Sequence, residues 1–203
     1  MHRTRNPNLF GPRLGVLIAV ALVAVGASPA LARVTRTQTH IYQAFTSSGA
    51  PAVHVKSKVR GDCNGGSAAT DRADAWRCFA GNFVYDPCFS SSAANGVVLC
   101  PTGPGSTSAV EIRLTAGLTD GNKGKLSTSG VPWAVETTSG ALCGLNTGAT
   151  TVVDHRRANY FCAHSKDWLW GAPLRKSEPW TIYSAVPTAT KLTHKVKLSV
   201  AWF

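Results

Sequence analysis

Residues 76–101 read WRCFAGNFVYDPCFSSSAANGVVLCP. Three of the chain's six cysteines fall here: Cys78, Cys88 and Cys100. Between them run Phe79, Phe83, Tyr85 and Phe89, and the stiff Asp86-Pro87 step. Aromatic side chains at this density bury large areas, and cysteines this close in an exported chain cross-link. The stretch closes on a short apolar strand, Gly96 to Cys100. A disulfide-tied β core is therefore expected, and the flanking sequence is read outward from it.

Upstream, Val53-His54-Val55-Lys56-Ser57-Lys58-Val59-Arg60 alternates with period two, which marks a half-buried strand with a basic outer face. Gly61 to Gly66 is a turn carrying Cys63. Ala68 to Cys78 has the composition of a short helix capped by Thr70 or Asp71. Residues 33–52 are rich in Thr, Ser, Gln and Ala, and are expected as a flexible, loosely docked segment that Ile41, Tyr42 and Phe45 could pin.

Farther upstream, residues 1–13 are basic, Leu14 to Ala27 are uncharged and apolar, and Ala30-Leu31-Ala32 fits a peptidase site. Charged, apolar, then small is the order of a secretory signal peptide, assigned to 1–32. The alternative is an uncleaved membrane anchor, but the apolar run falls short of the roughly 20 residues needed to span a bilayer. With no second long apolar stretch, no membrane span is expected after cleavage. The protein is read as secreted or held in the cell envelope. The remaining residues, 33–203, carry 18 basic and 10 acidic side chains, a net +8. Such a balance favours contact with an anionic cell-envelope polymer or glycan, while export argues against nucleic acid.

Downstream, Ala109 to Leu114 alternates, and Pro101–Ser108 and Asp120–Gly130 are loops by composition. Trp133–Thr137 and Ala141–Leu145 flank a Ser139-Gly140 turn as a hairpin. Shorter strands follow at Thr150–Val153 and Asn159–Cys162. Trp180–Val186 and Leu192–Phe203 then form a second hairpin, with Val196, Leu198, Val200 and Trp202 on one face. About eight or nine short strands at this spacing, with at most one short helix, give a mainly β domain over 53–203. The expected architecture is an antiparallel sandwich or barrel stabilised by disulfides. All six cysteines follow the leader, an even number in an oxidising compartment. Spacing alone does not choose among the connectivities. Pairing predicted neighbours across modest loops gives Cys63–Cys78, Cys88–Cys100 and Cys143–Cys162. No tight C-x-x-C pair supports a metal site, and no cofactor is implied.

Function is less legible. The chain has no G-x-S-x-G elbow, H-E-x-x-H pair, phosphate loop or dinucleotide fingerprint. The catalytic candidates are His155 and its neighbour Asp154, an acid beside a base, followed by Arg156 and Arg157, which suit an anion. A polar turn between strands explains the same letters. Trp168 and Trp170, two apart on a strand, share a face and form the candidate sugar-stacking strip, with Trp133 and Trp180 as further rings.

One ordered string runs through the domain. It consists of Arg77-Cys78, Gly81-Asn82, Asp86-Pro87-Cys88-Phe89, Leu99-Cys100-Pro101, Pro132-Trp133-Ala134, Gly148-Ala149-Thr150, Asn159-Tyr160-Phe161-Cys162 and Glu178-Pro179-Trp180-Thr181. It resembles a group of exported actinobacterial proteins of uncharacterised function. The resemblance covers roughly residues 60–203 and implies an exported, cysteine-paired domain, with no activity to carry over. The expected role is non-catalytic: binding an envelope component or an extracellular ligand. The alternatives are a hydrolase of cell-wall glycan or peptide, and an extracytoplasmic sensor or accessory subunit of a membrane protein.

Overall fold

A computed structural model describes residues 34–203. The leader read at 1–32 lies outside the described residues. Thirteen strands and no helix are found among those described. β1 (Gln38–His40) comes first. The next five are β2 (His54–Gly66), β3 (Ala75–Ala80), β4 (Phe83–Phe89), β5 (Val97–Pro101) and β6 (Ser108–Leu114). They close into a ring, antiparallel throughout except where β6 meets β2 in parallel. The remainder are β7 (Ala134–Thr137), β8 (Leu142–Leu145), β9 (Val152–Val153), β10 (Arg156–Cys162), β11 (Trp168–Leu174), β12 (Thr181–Ala185) and β13 (Lys195–Trp202). Here the order is β7-β8-β10-β11-β12-β13, and pairing of β13 with β7 completes a second ring. β9 branches off β10 as a hairpin, and β1 lies parallel to β13.

The expected barrel class is therefore present, but as two small barrels. The count of eight or nine strands was too low. β3 and β4 escape the period-two pattern because both faces are buried where Ala75 and Trp76 meet Cys88 and Phe89, and both are exposed at Phe83 and Val84. Cys88 points into the first barrel, while the adjacent Phe89 packs outside it, and both are buried. The short helix expected at Ala68–Cys78 is absent. Side chains occupy the backbone groups that a helical ladder would need. Ser67 Oγ accepts from the amides of Ala69 and Thr70, Asp86 accepts from Ala68 N–H, and Asn122 donates to the carbonyls of Ser67 and Thr70.

The two barrels have different interiors. A five-stranded ring has little room inside, and sulfur fills much of it. Cys63–Cys78 and Cys88–Cys100 lie beside Val98, Ile112 and Trp76. The Sγ atoms of Cys78, Cys88 and Cys100 fall within 4.8 Å of one another, all in disulfides. The second barrel holds Val135, Tyr160, Leu169, Ile182, Leu198 and Phe203, with Cys143–Cys162 joining β8 to β10. The three bonds join the pairs expected from their short loops.

A third core joins the barrels: Tyr42, Phe89, Leu99, Ala109, Trp133 and Ala134. Tyr42 meets Trp133 edge-on at 5.6 Å and Phe89 at 5.1 Å. The segment 33–52, expected to dock loosely, is tied in from Thr37. That residue is buried, and its hydroxyl donates to Leu198 O while accepting from Trp180 N–H. Arg72 is buried behind Phe89, 4.4 Å from its ring centroid. Its guanidinium forks onto Asp74 and donates to the carbonyls of Tyr42 and Phe203.

Candidate functional site

The DHRR stretch is a hairpin turn. Val153 pairs with Arg156, leaving Asp154 and His155 as a two-residue loop with φ of 48° and 59°. Two left-handed residues in sequence match the twist of the flanking strands, which accounts for an Asp at the first position. The Asp154 carboxylate accepts the Leu192 amide at 2.7 Å, pinning the loop before β13. His155 is exposed, and no hydrogen bond joins it to Asp154 among the described residues. Of the two readings of these letters, the structure has the polar turn, with Asp154 as its clasp. His164 borders a separate groove of about 400 Å³, and none of the residues lining that groove is a carboxylate.

Arg156 and Arg157 leave β10 on opposite sides, as successive strand residues must. Arg157 donates to Gly148 O and Asn159 Oδ1, and borders a groove of about 490 Å³ with Thr70, Asp71 and Asn122. Arg156 turns to the outer face of the second barrel. Its guanidinium carbon sits 4.6 Å from the centroid of the Tyr183 ring. Lys195 is the cross-strand partner of Tyr183, and its Nζ lies 4.8 Å from the same centroid. One phenol ring therefore carries two cations, each placed to interact with its π face.

Neither cation has an acid partner. Among the described residues, carboxylates lie within 4.0 Å of Lys58, Arg72 and Arg113 only. Arg156 and Lys195 repel each other across Tyr183, and a bound anion would relieve that repulsion.

The tryptophan strip takes a different form from the one expected. Trp168 and Trp170 do share the outer face of β11, but Trp170 is fully buried under Val153 and Leu192 and donates its Nε1–H to Ala185 O. It serves as the floor beneath Tyr183, its partner across β12. Trp168 stays half-buried and meets Phe161 at 4.2 Å, so the accessible rings are Phe161 and Trp168. Trp133 and Trp180 are buried.

Comparison with known protein families, characterised proteins and solved structures returned no match to this chain.

The remaining basic residues divide by role. Arg175 donates to the carbonyls of Thr128, Ser129 and Gly130 and lies over Trp180, fixing the loop before β7. Burial pulls its guanidinium below the usual arginine range, and the nearby Tyr160 opposes that shift. Lys58 and Arg113 share the buried Glu111, at 3.0 and 3.4 Å. Arg60 lies opposite Arg113 across the parallel β2–β6 pair. Tyr183 and Phe161 were missed as site residues. Tyr183 is outward-facing in the alternating stretch Thr181-Ile182-Tyr183, but only strand register places it between Arg156 and Lys195.

Proposed function

We propose that the domain is a non-catalytic binder of an anionic cell-envelope polymer, held by Arg156 and Lys195 on either flank of Tyr183. The observation that carries this reading is the pair of cations on one ring with no carboxylate partner among the described residues. A polyanion supplies the missing negative charge without having to enter a pocket. The half-exposed Phe161–Trp168 pair, two rings in contact and tilted by 38°, offers apolar surface for a polymer's sugar or alkyl portion. The net positive charge draws such a polymer in from a distance. The leader expected at 1–32 and the resemblance of the motif string to exported proteins support placing that polymer outside the membrane. No observation favours the hydrolase reading of His155 and Asp154, whose geometry is that of a turn.

The test is retention of the purified protein on isolated cell wall. Retention should fall as salt is raised, because exposed charge contacts are screened. Arg156→Ala with Lys195→Ala should weaken it about tenfold at low salt, whereas His155→Ala should leave it unchanged. Salt-insensitive retention, or release of soluble wall fragments by the protein, would sink the proposal.

A further inference from the structure

The β3–β4 hairpin presents an apolar tip to solvent. Ala80 pairs with Phe83 across a two-residue turn in which Gly81 has φ 58°. Phe83 is 69% exposed and Val84 52%. The Phe83 ring leans on Tyr85 at 6.4 Å but leaves most of its surface in water, as does Val84 next to it, so two adjacent apolar side chains stand open at the tip. The register shows what surrounds them. Val84 pairs with Phe79 and Phe79 with Asp62, so these three share the outer face of the first barrel. Arg60, two residues before Asp62 on an unbroken stretch of β2, lies on that face too. Arg113 is its partner on β6. Asp62 lies opposite Phe79 in the antiparallel β2–β3 pair, so Arg60, two residues earlier, runs toward the hairpin end that carries Phe83. Arg77, also on this face, sits 5.9 Å from the Phe79 ring centroid. The acids here are already engaged: Asp62 accepts from Thr115 Oγ1, and Glu111 is shared by Lys58 and Arg113.

We propose that this hairpin docks on an anionic lipid bilayer. Phe83 and Val84 enter the interfacial zone, and Arg60 and Arg113 meet the headgroups. Charge selects the occupant: an apolar tip with Arg60, which has no carboxylate partner among the described residues, and the largely exposed Arg113 on the Val84 side complements a surface that is apolar within and negative at its edge. Shape points the same way. A specific protein partner needs roughly 800 Å² on each side, and a convex two-residue tip is far smaller. A bilayer needs no preformed counterpart and admits a protruding ring. The proposal is independent of the polymer site, because the residues lie on different barrels.

Hydrogen exchange on the full chain tests it, read at residues 80–84 with and without vesicles. Vesicles containing phosphatidylglycerol should slow exchange at the tip, and pure phosphatidylcholine vesicles should do so far less. Phe83→Ser with Val84→Ser should weaken sedimentation with the anionic vesicles about tenfold. Arg60→Gln with Arg113→Gln should abolish the preference for anionic over neutral lipid. Both pairs are exposed, so circular dichroism should match the parent. Tip exchange that ignores vesicles, or protects equally with neutral lipid, overturns the proposal, as does a serine variant that sediments like the parent. The serine variant should keep its salt-sensitive wall retention, and the Arg156→Ala/Lys195→Ala variant should keep its tip protection. Failure of one proposal is thereby distinguished from failure of the other.

Discussion

Tyr42 and Tyr160 are both buried tyrosines, and their hydroxyls fare differently. Tyr160 donates to Pro132 O at 2.8 Å, whereas the Tyr42 hydroxyl is buried with no hydrogen-bond partner among the described residues. A buried hydroxyl without a partner costs free energy, and one with a good partner contributes about 1 kcal/mol. Tyr42→Phe is thus expected to be neutral or stabilising by up to about 1 kcal/mol. Tyr160→Phe should cost about 1 kcal/mol, read from urea midpoints. Burial also pushes the Tyr42 phenol from 10.0 up to about 12, and raises Tyr160 in the same direction. A folded-state value above the unfolded one contributes stability that is intact below pH 10 and lost as pH rises through the folded value. Melting temperature should therefore drop between pH 10 and 12, and Tyr42→Phe should flatten part of that drop. A drop of equal size in the variant would show that Tyr42 is not its source.

At the level of strands, legibility followed solvent. β2 could be read as a strand because Lys56, Lys58 and Arg60 are exposed, but a register shift between Val55 and Ser57 splits its valines: Val55 packs on the core between the barrels and Val59 on the interior of the first. β3 and β4 could not, since at one end of the pair (Ala75, Trp76, Cys88, Phe89) both faces are buried, while at the other Phe83 and Val84 are both exposed, so neither end alternates. β13 was read correctly as a strand, but its facing was only half right. Val196 and Leu198 point inward as alternation requires, but a bulge between Leu198 and Val200 shifts the phase. Ala201 and Phe203 then fill the second barrel, and Trp202 turns toward the core between the barrels. Ring closure leaves no mark on hydrophobic pattern either. β2 serves two partners, β6 along its first half and β3 along its second, and Gly61 sits where the pairing changes. A Cβ added there would stand 2.2 Å from the Phe79 carbonyl oxygen. Gly61→Ala is expected to cost about 3 kcal/mol by forcing the strands apart, measured by chemical denaturation. A variant as stable as the parent would mean that β2 and β3 separate freely at this point.

For the molecule as a whole, Arg72 is the joint. Its side chain links the turn before β3 to the carbonyls of Tyr42 and Phe203, which belong to the two ends of the described chain. Removing one partner of a buried charge pair typically costs 3–5 kcal/mol, so Arg72→Ala should lose about 4 kcal/mol. Arg72→Lys should recover little, because one ammonium cannot reproduce the fork onto Asp74. Parent-like melting in either variant would remove Arg72 from this role. Its neighbours in sequence, Asp71, Ala73 and Asp74, look like an ordinary polar turn, and nothing in the local pattern marks this arginine as buried. The site was legible to a similar extent: Arg156 stood out as a cation beside a turn, while its pairing with Lys195 depends on strands folded across 39 positions of chain.

The pairing of β1 with β13 also bears on the order of assembly. Synthesis delivers Gln38, Thr39 and His40 long before Val200, Ala201 and Trp202, the residues they align with. Until those arrive, Thr37 and Tyr42 have nowhere to dock, and a span of about 160 residues must be drawn together to receive them. The first barrel, contained within 54–114, waits for no distant segment and can close before β1 finds its partner. Assembly then proceeds from the interior of the chain outward, and the opening strand is set last, as a latch.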